Sequence, residues 1–232
     1  MKIRNSIALV TGANRGLGSA FVQVLLDAGA KKVYAAARNP RSIKIVPGVE
    51  PLQIDVTNQR DVTAAARAAT DVNLVINNAG IFQPTPFLAA GDADLHAEMN
   101  TNYFGTLAMS RAFAPLLARN GGGGLVNVLS VLSWVNLPGT ALYSASKAAA
   151  WSLTNALREE LRAQGTQVVG LHVGFMDTDM AKDVQSPKSD PLDVARQVLA
   201  ALENGGSEVL ADAVSRQVKA GLSAQPPLHV AA

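Results

Sequence analysis

The chain has 232 residues, 48% of them hydrophobic, which is enough for one sizeable core in a single domain. A net charge of +2 without lysine or arginine runs argues against a nucleic-acid partner. Cysteine is absent, which excludes disulfides and thiolate chemistry. No apolar stretch reaches the roughly 20 residues of a membrane span, and the first apolar run begins close to Met1, so we expect a cytoplasmic protein.

Short apolar runs alternate with longer helical patterns along the chain. The apolar runs predict strands near 6–10, 32–37, 51–54, 72–76, 124–129, 167–173 and 208–211. The helical patterns lie near 17–28, 58–69, 95–118, 141–163 and 191–203. Runs rich in Val, Ile and Leu with little polar alternation are typical of a parallel sheet covered on both faces. We therefore predict a single-domain, doubly wound α/β Rossmann fold over 1–232, with a parallel sheet of about seven strands.

Residues suited to ligand binding follow directly after six of the predicted strands. These residues are Gly12, Arg38, Asp55, Asn78, Ser130 and Gly174. Ligands of doubly wound sheets bind beyond the carboxyl ends of the strands. We therefore expect these distant positions to converge on one edge of the sheet.

The first strand leads into a glycine-rich turn and then into an amphipathic segment. Gly12, Gly16 and Gly18 permit positive φ angles and close backbone approach, and the following helix offers free N–H groups to a pyrophosphate. The spacing is G-x-x-x-G-x-G, not the G-x-G-x-x-G of the larger dinucleotide-binding dehydrogenases. A glycine loop alone could also be a simple turn, so the interpretation depends on the other motifs.

Two arginines predict which cofactor is preferred. An NAD site usually places Asp or Glu after the second strand to bind the ribose 2′-hydroxyl, and this chain has Ala37 followed by Arg38. Arg15, inside the glycine loop, faces the same region. Two guanidinium groups without an opposing acid favour a 2′-phosphate, so we predict NADP(H) over NAD(H). The alternative is that both are ordinary surface arginines.

Tyr143 and Lys147 occur in the run Tyr-Ser-Ala-Ser-Lys, four residues apart on one predicted helix face. A neighbouring cation favours the phenolate, so we expect the pKa of Tyr143 to fall towards neutral. Tyr143 would then exchange protons readily. An isolated Y-x-x-x-K is more often a solvated surface pair, so this interpretation also needs support from the rest of the chain.

Together these motifs resemble the short-chain dehydrogenase/reductase family over nearly the whole chain. The family's elements occur in its order: T-G-x-x-x-G-x-G at 11–18, Asp55 and Val56, N-N-A-G at 77–80, N-x-x-G at 102–105, Ser130, Tyr143 and Lys147. The resemblance implies a nicotinamide-dependent oxidoreductase, here of the NADP-preferring carbonyl reductase type, that forms a homodimer or homotetramer.

The resemblance also implies a role for each catalytic residue. Ser130 would orient the substrate oxygen while Tyr143 exchanges the proton. Lys147 would lower the pKa of Tyr143 and bind the nicotinamide ribose. Asn102 would hold a water that links Lys147 to solvent. The reaction implied is reduction of a carbonyl by hydride transfer with Tyr143 as the proton donor.

The resemblance assigns the cofactor to residues from most of the motifs. They are Gly12, Asn14, Arg15, Gly16, Leu17, Gly18, Arg38, Asp55, Val56, Asn78, Ala79, Gly80, Tyr143, Lys147, Met176 and Thr178. Asp55 and Val56 would contact the adenine, and Thr178 with the Met176 backbone would hold the carboxamide. The family usually has Pro-Gly where this chain has Val173 and Gly174, which predicts a less rigid turn.

Other candidate catalytic residues are weaker. Ser133 could replace Ser130, but it lies three residues closer to Tyr143 and reads better as a loop hydroxyl. His96 and His172 have no second ligand or acid at a useful spacing, and His229 is in the tail. We therefore expect neither a metal site nor a Ser-His-Asp triad.

No charged residue occurs in 125–146, the region around the candidate catalytic positions. The apolar residues expected to form a pocket are Leu132, Trp134, Val135, Leu137 and Leu142, with Phe82, Pro84, Phe87, Phe175 and Met180. Such a wall favours a neutral, hydrophobic ketone or aldehyde, although each residue could equally belong to the core or to a subunit contact. The polar, proline-containing segment 181–191 is typical of a mobile loop and is expected to form a short substrate lid.

The long predicted helices are apolar on more than one face, as at Ala148, Ala149, Trp151 and Leu153, which indicates a surface buried by a partner subunit. The sequence leaves other functions open. The same scaffold could work as an alcohol dehydrogenase, as an epimerase or dehydratase with a bound cofactor, or as a regulator that binds NADP without turnover.

Overall fold

The computed structural model describes residues 1–84, 88 and 90–224. Seven parallel strands form one sheet in the order β3-β2-β1-β4-β5-β6-β7. The strands are β1 Ile7–Thr11, β2 Lys32–Ala37, β3 Val49–Gln53, β4 Leu74–Asn77, β5 Gly124–Val128, β6 Gln167–His172 and β7 Glu208–Leu210. The number of strands, their parallel direction and the α/β class were all predicted from the sequence, and each is confirmed.

Within the described residues, seven α-helices connect and cover the strands. They are α1 Gly16–Asp27, α2 Gln59–Ala68, α3 Asp92–Glu98, α4 Thr106–Arg119, α5 Ala141–Glu160, α6 Pro191–Glu203 and α7 Ala213–Gly221. The prediction of one helix over 95–118 is wrong, because a π-helical segment, Met99–Gly105, separates α3 from α4. The sequence analysis also missed α7, a short helix whose first turn is capped by the Asp212 carboxylate.

The core lies on both faces of the sheet. On one face α1 packs against α6, with Phe21 fully buried, and on the other α2 packs against α4, with Phe113 fully buried. Successive residues of β1 face opposite sides, so that Val10 joins the first cluster and Leu9 the second. Because the central strands are covered on both sides, their sequences are continuous apolar runs, as the sequence analysis assumed.

The strand order reverses between the neighbouring strands β1 and β4. After β1 and after β4 the chain continues on opposite faces of the sheet. Thr11, the last residue of β1, accepts hydrogen bonds at Oγ1 from the backbone N–H groups of Asn78 and Ala79, both at 3.0 Å. A reversal of strand order opens a crevice beyond the carboxyl ends of the strands. Each of the six residues expected at this edge lies one or two positions after the end of one of the strands β1 to β6, as predicted.

Within the described ranges, no helix is long and apolar enough to cross a bilayer. The same residues contain no group of three His, Cys, Asp or Glu side chains placed to hold a metal ion.

Candidate active site

The glycine loop is closely packed against itself and against Asn78, just after β4, and this packing leaves no room for side chains on its glycines. Gly12 has a φ of +63°, in the left-handed region that favours glycine. A Cβ atom on Gly18 would lie 2.0 Å from the Gly12 carbonyl oxygen. Asn78 Nδ2 donates to the carbonyls of Thr11 and Gly12 at 2.9 and 3.2 Å. The loop is therefore held in one shape by its glycines and by Asn78.

Gly18→Ala should destabilise the protein by about 1–3 kcal/mol, because the new methyl group can be accommodated only by moving the Gly12 backbone. Urea unfolding measures the loss. Gly91→Ala is the control: nothing lies within 4 Å of its added Cβ, and the substitution should cost less than about 1 kcal/mol as an N-cap change. Equal stability of the Gly18 variant and the wild type would contradict the close packing of this loop.

The start of α1 suits a pyrophosphate. Arg15 is its N-cap and makes no side-chain capping bond, so the first backbone N–H groups keep their hydrogen-bonding capacity. Asn14 and Arg15 are exposed, while the Leu17 side chain is packed in the core and can offer a ligand only its backbone. The loop and helix therefore have the shape and polarity that the phosphates of a dinucleotide require.

The two arginines differ in their surroundings. Arg38 is exposed just beyond β2 and makes no ion pair with any residue in the described part of the chain. Arg15 Nη1 lies 3.0 Å from Asp179 Oδ2, with the two side chains 70% and 73% exposed. The expectation that no acidic residue opposes the arginines is therefore wrong for Arg15. The pair joins the glycine loop to a distant turn, which is why sequence reasoning missed it.

Asp55 and Val56, expected at the adenine, lie just beyond β3. Asp55 Oδ1 accepts from the backbone and hydroxyl of Thr57 at 2.9 and 2.7 Å, which holds the carboxylate in a tight turn. Val56 is buried, and a Cβ on Gly105 would lie 2.7 Å from its Cγ2 atom. Glycine in the N-x-x-G motif is therefore required by the packing of Val56.

Asn102 lies in the π-helical segment and is fully buried. Its side chain is held at both ends, since Oδ1 accepts from the Ile81 N–H at 2.9 Å and Nδ2 donates to the Ile81 carbonyl and the Ser146 hydroxyl. A Cβ on Gly80 would lie 3.1 Å from Asn102 Oδ1 and 3.6 Å from Lys147 Nζ. The structure thus brings Asn102 and Lys147 together beside the N-N-A-G motif.

Tyr143 and Lys147 lie on α5, near the edge where β5 ends. Lys147 is buried and its Nζ donates to the Val128 carbonyl at 2.8 Å, with the ammonium 5.6 Å from the centre of the Tyr143 ring. Tyr143 is half-buried, and its ring meets Phe82 edge-on at 5.3 Å between centroids. The Ser130 hydroxyl is near enough to the phenol to lower the pKa of Tyr143. The structure therefore brings Ser130, Tyr143 and Lys147 together.

The expected fall in the pKa of Tyr143 is wrong for the cofactor-free protein. Burial raises the pKa of the Tyr143 phenol above its ordinary value, the Ser130 hydroxyl opposes the rise, and the charge of Glu98 adds to it. Burial also lowers the pKa of Lys147 to about 8, against the attraction of Glu98. Desolvation outweighs the hydrogen bond from Ser130, so at neutral pH Tyr143 is a protonated phenol.

Glu98 is a buried acid that the sequence analysis missed. It ends α3, and its Oε1 accepts from the Gln83 N–H at 2.6 Å, while Oε2 has no hydrogen-bond partner among the described residues. Burial raises its pKa and the charge of Lys147 lowers it. The sequence offered one signal for its position near the site: Glu98 lies four residues before Asn102, on the same helical face.

The turn at Val173 and Gly174, without the family's proline, is held from another element. The Gly174 N–H donates to Asp212 Oδ2 at 2.7 Å, so the residue that caps α7 also fixes this turn. Beyond it, Met176 pairs with Ser189, and the Thr178 methyl group lies 3.2 Å from where a Cβ on Gly16 would stand. Met176 and Thr178 are thus placed beside the glycine loop, at the base of the segment 181–191.

The residues proposed for an apolar pocket have different environments. Leu132 and Leu142 are buried, and Leu137, Phe175 and Met180 are exposed. Trp134 stacks on His172, with 3.8 Å between ring centroids. Phe87 and His229 lie outside the described residues.

Comparison with known proteins agrees with this geometry. The family model described as short chain dehydrogenase matches residues 6–189. A short chain dehydrogenase from Burkholderia cenocepacia, solved in complex with NADP, is 43% identical, covers 97% of this chain and 96% of its own, and superposes with a TM-score of 0.93. The 3-oxoacyl-(acyl-carrier-protein) reductase FabG of Vibrio cholerae is 30% identical over 190 residues, 78% of each chain.

A short chain dehydrogenase/reductase from Burkholderia phymatum, solved in complex with NAD, shares the fold with a TM-score of 0.87, covers 97% of this chain and 96% of its own, and is 24% identical. The matched family model covers most of the chain, including the glycine loop, Ser130, Tyr143 and Lys147. The chain therefore belongs to the short-chain dehydrogenase/reductase family, and it is an oxidoreductase that binds a nicotinamide cofactor and acts on small molecules.

Proposed function

We propose that the protein reduces a neutral, hydrophobic ketone or aldehyde to an alcohol with NADPH. The observation that carries the proposal is that Tyr143 lies beside buried Lys147 and near the Ser130 hydroxyl, at the sheet edge next to the glycine loop. A phenol that holds its proton at neutral pH is the form needed to donate to an alkoxide. Because burial raises the pKa of Tyr143, the phenol is in the protonation state that reduction requires.

Each residue has a defined task in this scheme. NADPH supplies the hydride when it is bound, held by the glycine loop, the N-terminus of α1 and Asn78 to Gly80. Ser130 donates a hydrogen bond to the substrate oxygen and so fixes its position next to Tyr143. Tyr143 transfers its proton to that oxygen as negative charge develops on it, and the Lys147 ammonium stabilises the phenolate that remains. Asn102, beside Lys147, would hold the water through which the proton is replaced.

The preference for NADPH rests on Arg38, and secondarily on Arg15. A 2′-phosphate beside the end of β2 would find the exposed Arg38 guanidinium and no neighbouring carboxylate from Ala37. The Arg15 ion pair with Asp179 is a solvated surface pair of small stability, so a phosphate can compete for this guanidinium. The NADP complex of the 43% identical relative supports the same assignment.

The substrate class follows from the apolar residues near Tyr143. Phe82 contacts the Tyr143 ring, and the exposed side chains Leu137, Phe175 and Met180 offer further apolar surface. Charged residues are absent from 125–146, so a carboxylate or phosphate substrate would find no counter-ion there. The segment 181–191 would cover the substrate as a short lid, pinned at its base by the pairing of Met176 with Ser189.

We also propose that the protein is a cytoplasmic homodimer or homotetramer. Phe104, beside the start of α4, is 51% exposed and offers apolar surface to a partner subunit. Light scattering coupled to gel filtration measures the subunit number. A monomer at micromolar concentration would contradict this part of the proposal.

The deciding experiment is a panel of ketones, aldehydes and quinones assayed with NADPH by the loss of absorbance at about 340 nm, the nicotinamide band on which hydride transfer reports. We expect turnover with apolar carbonyls and little with charged ones. Alcohols with NADP are assayed in parallel, because faster oxidation than reduction at neutral pH would reverse the proposed direction. NADPH binding without turnover on any substrate would instead indicate a regulator.

The pH dependence of reduction tests the charge at Glu98. Ionised Glu98 raises the pKa of both Lys147 and Tyr143, so Glu98→Gln should lower both. Reduction needs Tyr143 protonated and is helped by a charged Lys147, so the alkaline fall in kcat/KM should begin at lower pH in the variant. Profiles between about pH 6 and pH 10 bracket the lowered pKa of Lys147, about 8.

Asp92→Asn is the control for Glu98→Gln, since it removes an exposed carboxylate from the same helix and should leave the profile in place. Glutamine keeps the oxygen that accepts from the Gln83 N–H, so the fold is retained. An unshifted alkaline limb in Glu98→Gln would mean that Glu98 is uncharged in the working enzyme.

A further inference from the structure

The main chain of Ser130 is held by contacts that are not part of the β-sheet ladder. On the β6 side, the residues before and after it continue the ladder, since Leu129 N–H donates to the Leu171 carbonyl at 2.8 Å and Val131 N–H to the Val173 carbonyl at 3.1 Å. On the other side, the register of β4 with β5 ends at Asn127. The N–H and carbonyl of Ser130 therefore need partners outside the sheet.

Two residues supply these partners. The Ser130 N–H donates to the Ser133 hydroxyl oxygen at 3.4 Å. The Ser130 carbonyl oxygen accepts from the Ser133 N–H at 3.0 Å and lies 3.2 Å from His172 Nδ1, which meets its second lone pair. The Ser130 hydroxyl itself accepts from the Leu132 N–H at 3.1 Å. These contacts fix the backbone from which the Ser130 hydroxyl projects.

The surroundings of His172 select one of its two neutral forms. A carbonyl oxygen can only accept, so the contact with Ser130 requires a proton on Nδ1. Glu208 lies 3.6 Å from Nε2, beyond hydrogen-bond distance, and is itself paired with Lys219 at 3.0 Å. Burial lowers the pKa of His172 to about 4, so the ring carries a single proton at neutral pH.

The ring is also held in place. Trp134 stacks on the His172 ring with 3.8 Å between centroids and 18° between planes. The Lys219 ammonium in turn lies 4.8 Å from the centroid of the Trp134 ring. His172 is completely buried, so it cannot rotate to a solvent partner. A rigid donor thus faces the Ser130 carbonyl.

We propose that His172 and Ser133 are positioning residues for catalysis, which hold the main chain of Ser130 so that its hydroxyl faces Tyr143 and the substrate oxygen. The inference rests on the proposed reductase function and extends it. It gives a role to His172, for which the sequence suggested none at the site, and a positioning role to Ser133 in place of that of a loop hydroxyl. Neither residue touches the substrate in this scheme, and both act through Ser130.

The first test compares His172→Leu with His172→Asn. Leucine is apolar and removes the donor, while the asparagine Nδ2 can keep a donor near the position of Nδ1. We expect His172→Leu to lower kcat roughly ten- to a hundredfold, as displaced catalytic groups do, with NADPH affinity within about twofold of wild type. His172→Asn should recover most of the loss. A leucine variant with wild-type kcat would overturn the proposal.

The second test separates positioning from general structural damage. In a Ser130→Ala background the hydroxyl to be positioned is gone, so adding His172→Leu or Ser133→Ala should lower kcat no further. If the losses multiply instead, His172 acts elsewhere and the proposal fails. Melting temperatures of all variants show that the comparison is made between folded proteins.

A third measurement does not depend on turnover. Ring-nitrogen NMR of the ¹⁵N-labelled protein distinguishes the two neutral imidazole forms, and the chain has three histidines, so the His172→Asn spectrum assigns the signal. We expect the Nδ1–H form at neutral pH. The Nε2–H form would overturn the contact with Ser130. If the wild type turns over no substrate, the proposed function fails while this measurement still decides the His172 contact.

Discussion

Tyr143→Phe should lower kcat for carbonyl reduction by about a thousandfold, in the middle of the range for removal of a general acid. Phenylalanine keeps the edge contact with Phe82 and removes the one group that can protonate the substrate oxygen. The affinity for NADPH should change little, because the proposed cofactor site places most of its contacts on the glycine loop and the arginines. Steady-state kinetics and a fluorescence titration with NADPH measure the two quantities separately.

Tyr34→Phe is the matched control, because it removes another tyrosine hydroxyl from the same fold. The Tyr34 hydroxyl bonds to Lys32 and Asp71, near the amino end of the sheet, so its loss should affect stability and leave kcat near the wild-type value. Residual activity above about a tenth of wild type in Tyr143→Phe would exceed what the loss of a general acid allows and would reject the mechanism.

Arg38→Asp should reverse the cofactor preference, lowering the ratio of kcat/KM for NADPH to that for NADH by about a hundred- to a thousandfold. The substitution removes a charge-assisted contact worth about 1.5–3 kcal/mol and adds a carboxylate that repels a phosphate. The same carboxylate can accept a hydrogen bond from the ribose 2′-hydroxyl of NADH. The measurement is kcat/KM for both cofactors with one carbonyl substrate.

Arg4→Asp is the control, because it makes the same charge change on an exposed residue before β1, at the opposite end of the sheet. The ratio of kcat/KM for NADPH to that for NADH should stay within about threefold, since charges separated by more than the screening length interact weakly.

Arg15→Ala should have a smaller effect than Arg38→Asp, since Arg15 is already paired with Asp179. A wild-type preference for NADH would contradict the assignment of both arginines.

The π-helical segment shows where local sequence reasoning fails. Residues 95–118 follow one helical pattern, and the sequence gives no Pro or Gly that would separate Glu98 from Met99. In the structure the segment widens at Met99–Gly105, Asn102 turns its amide to the Ile81 backbone, and Gly105 packs on Val56. Each of these contacts joins segments at least 20 residues apart, so the helical periodicity contains no sign of them.

The sequence by itself determined the α/β class, the seven strands with most of the helices between them, and the placement of the motifs after strands, because hydrophobic periodicity and glycine spacing act over a few residues. Only the tertiary structure decided the directions of the pKa shifts at Tyr143 and Lys147, the ion pair of Arg15 with Asp179, and the contact of His172 with the Ser130 carbonyl. The physical reason is that desolvation and charge pairing depend on every neighbour in space. Those neighbours come from distant parts of the chain, 42 residues apart for Ser130 and His172 and 164 for Arg15 and Asp179.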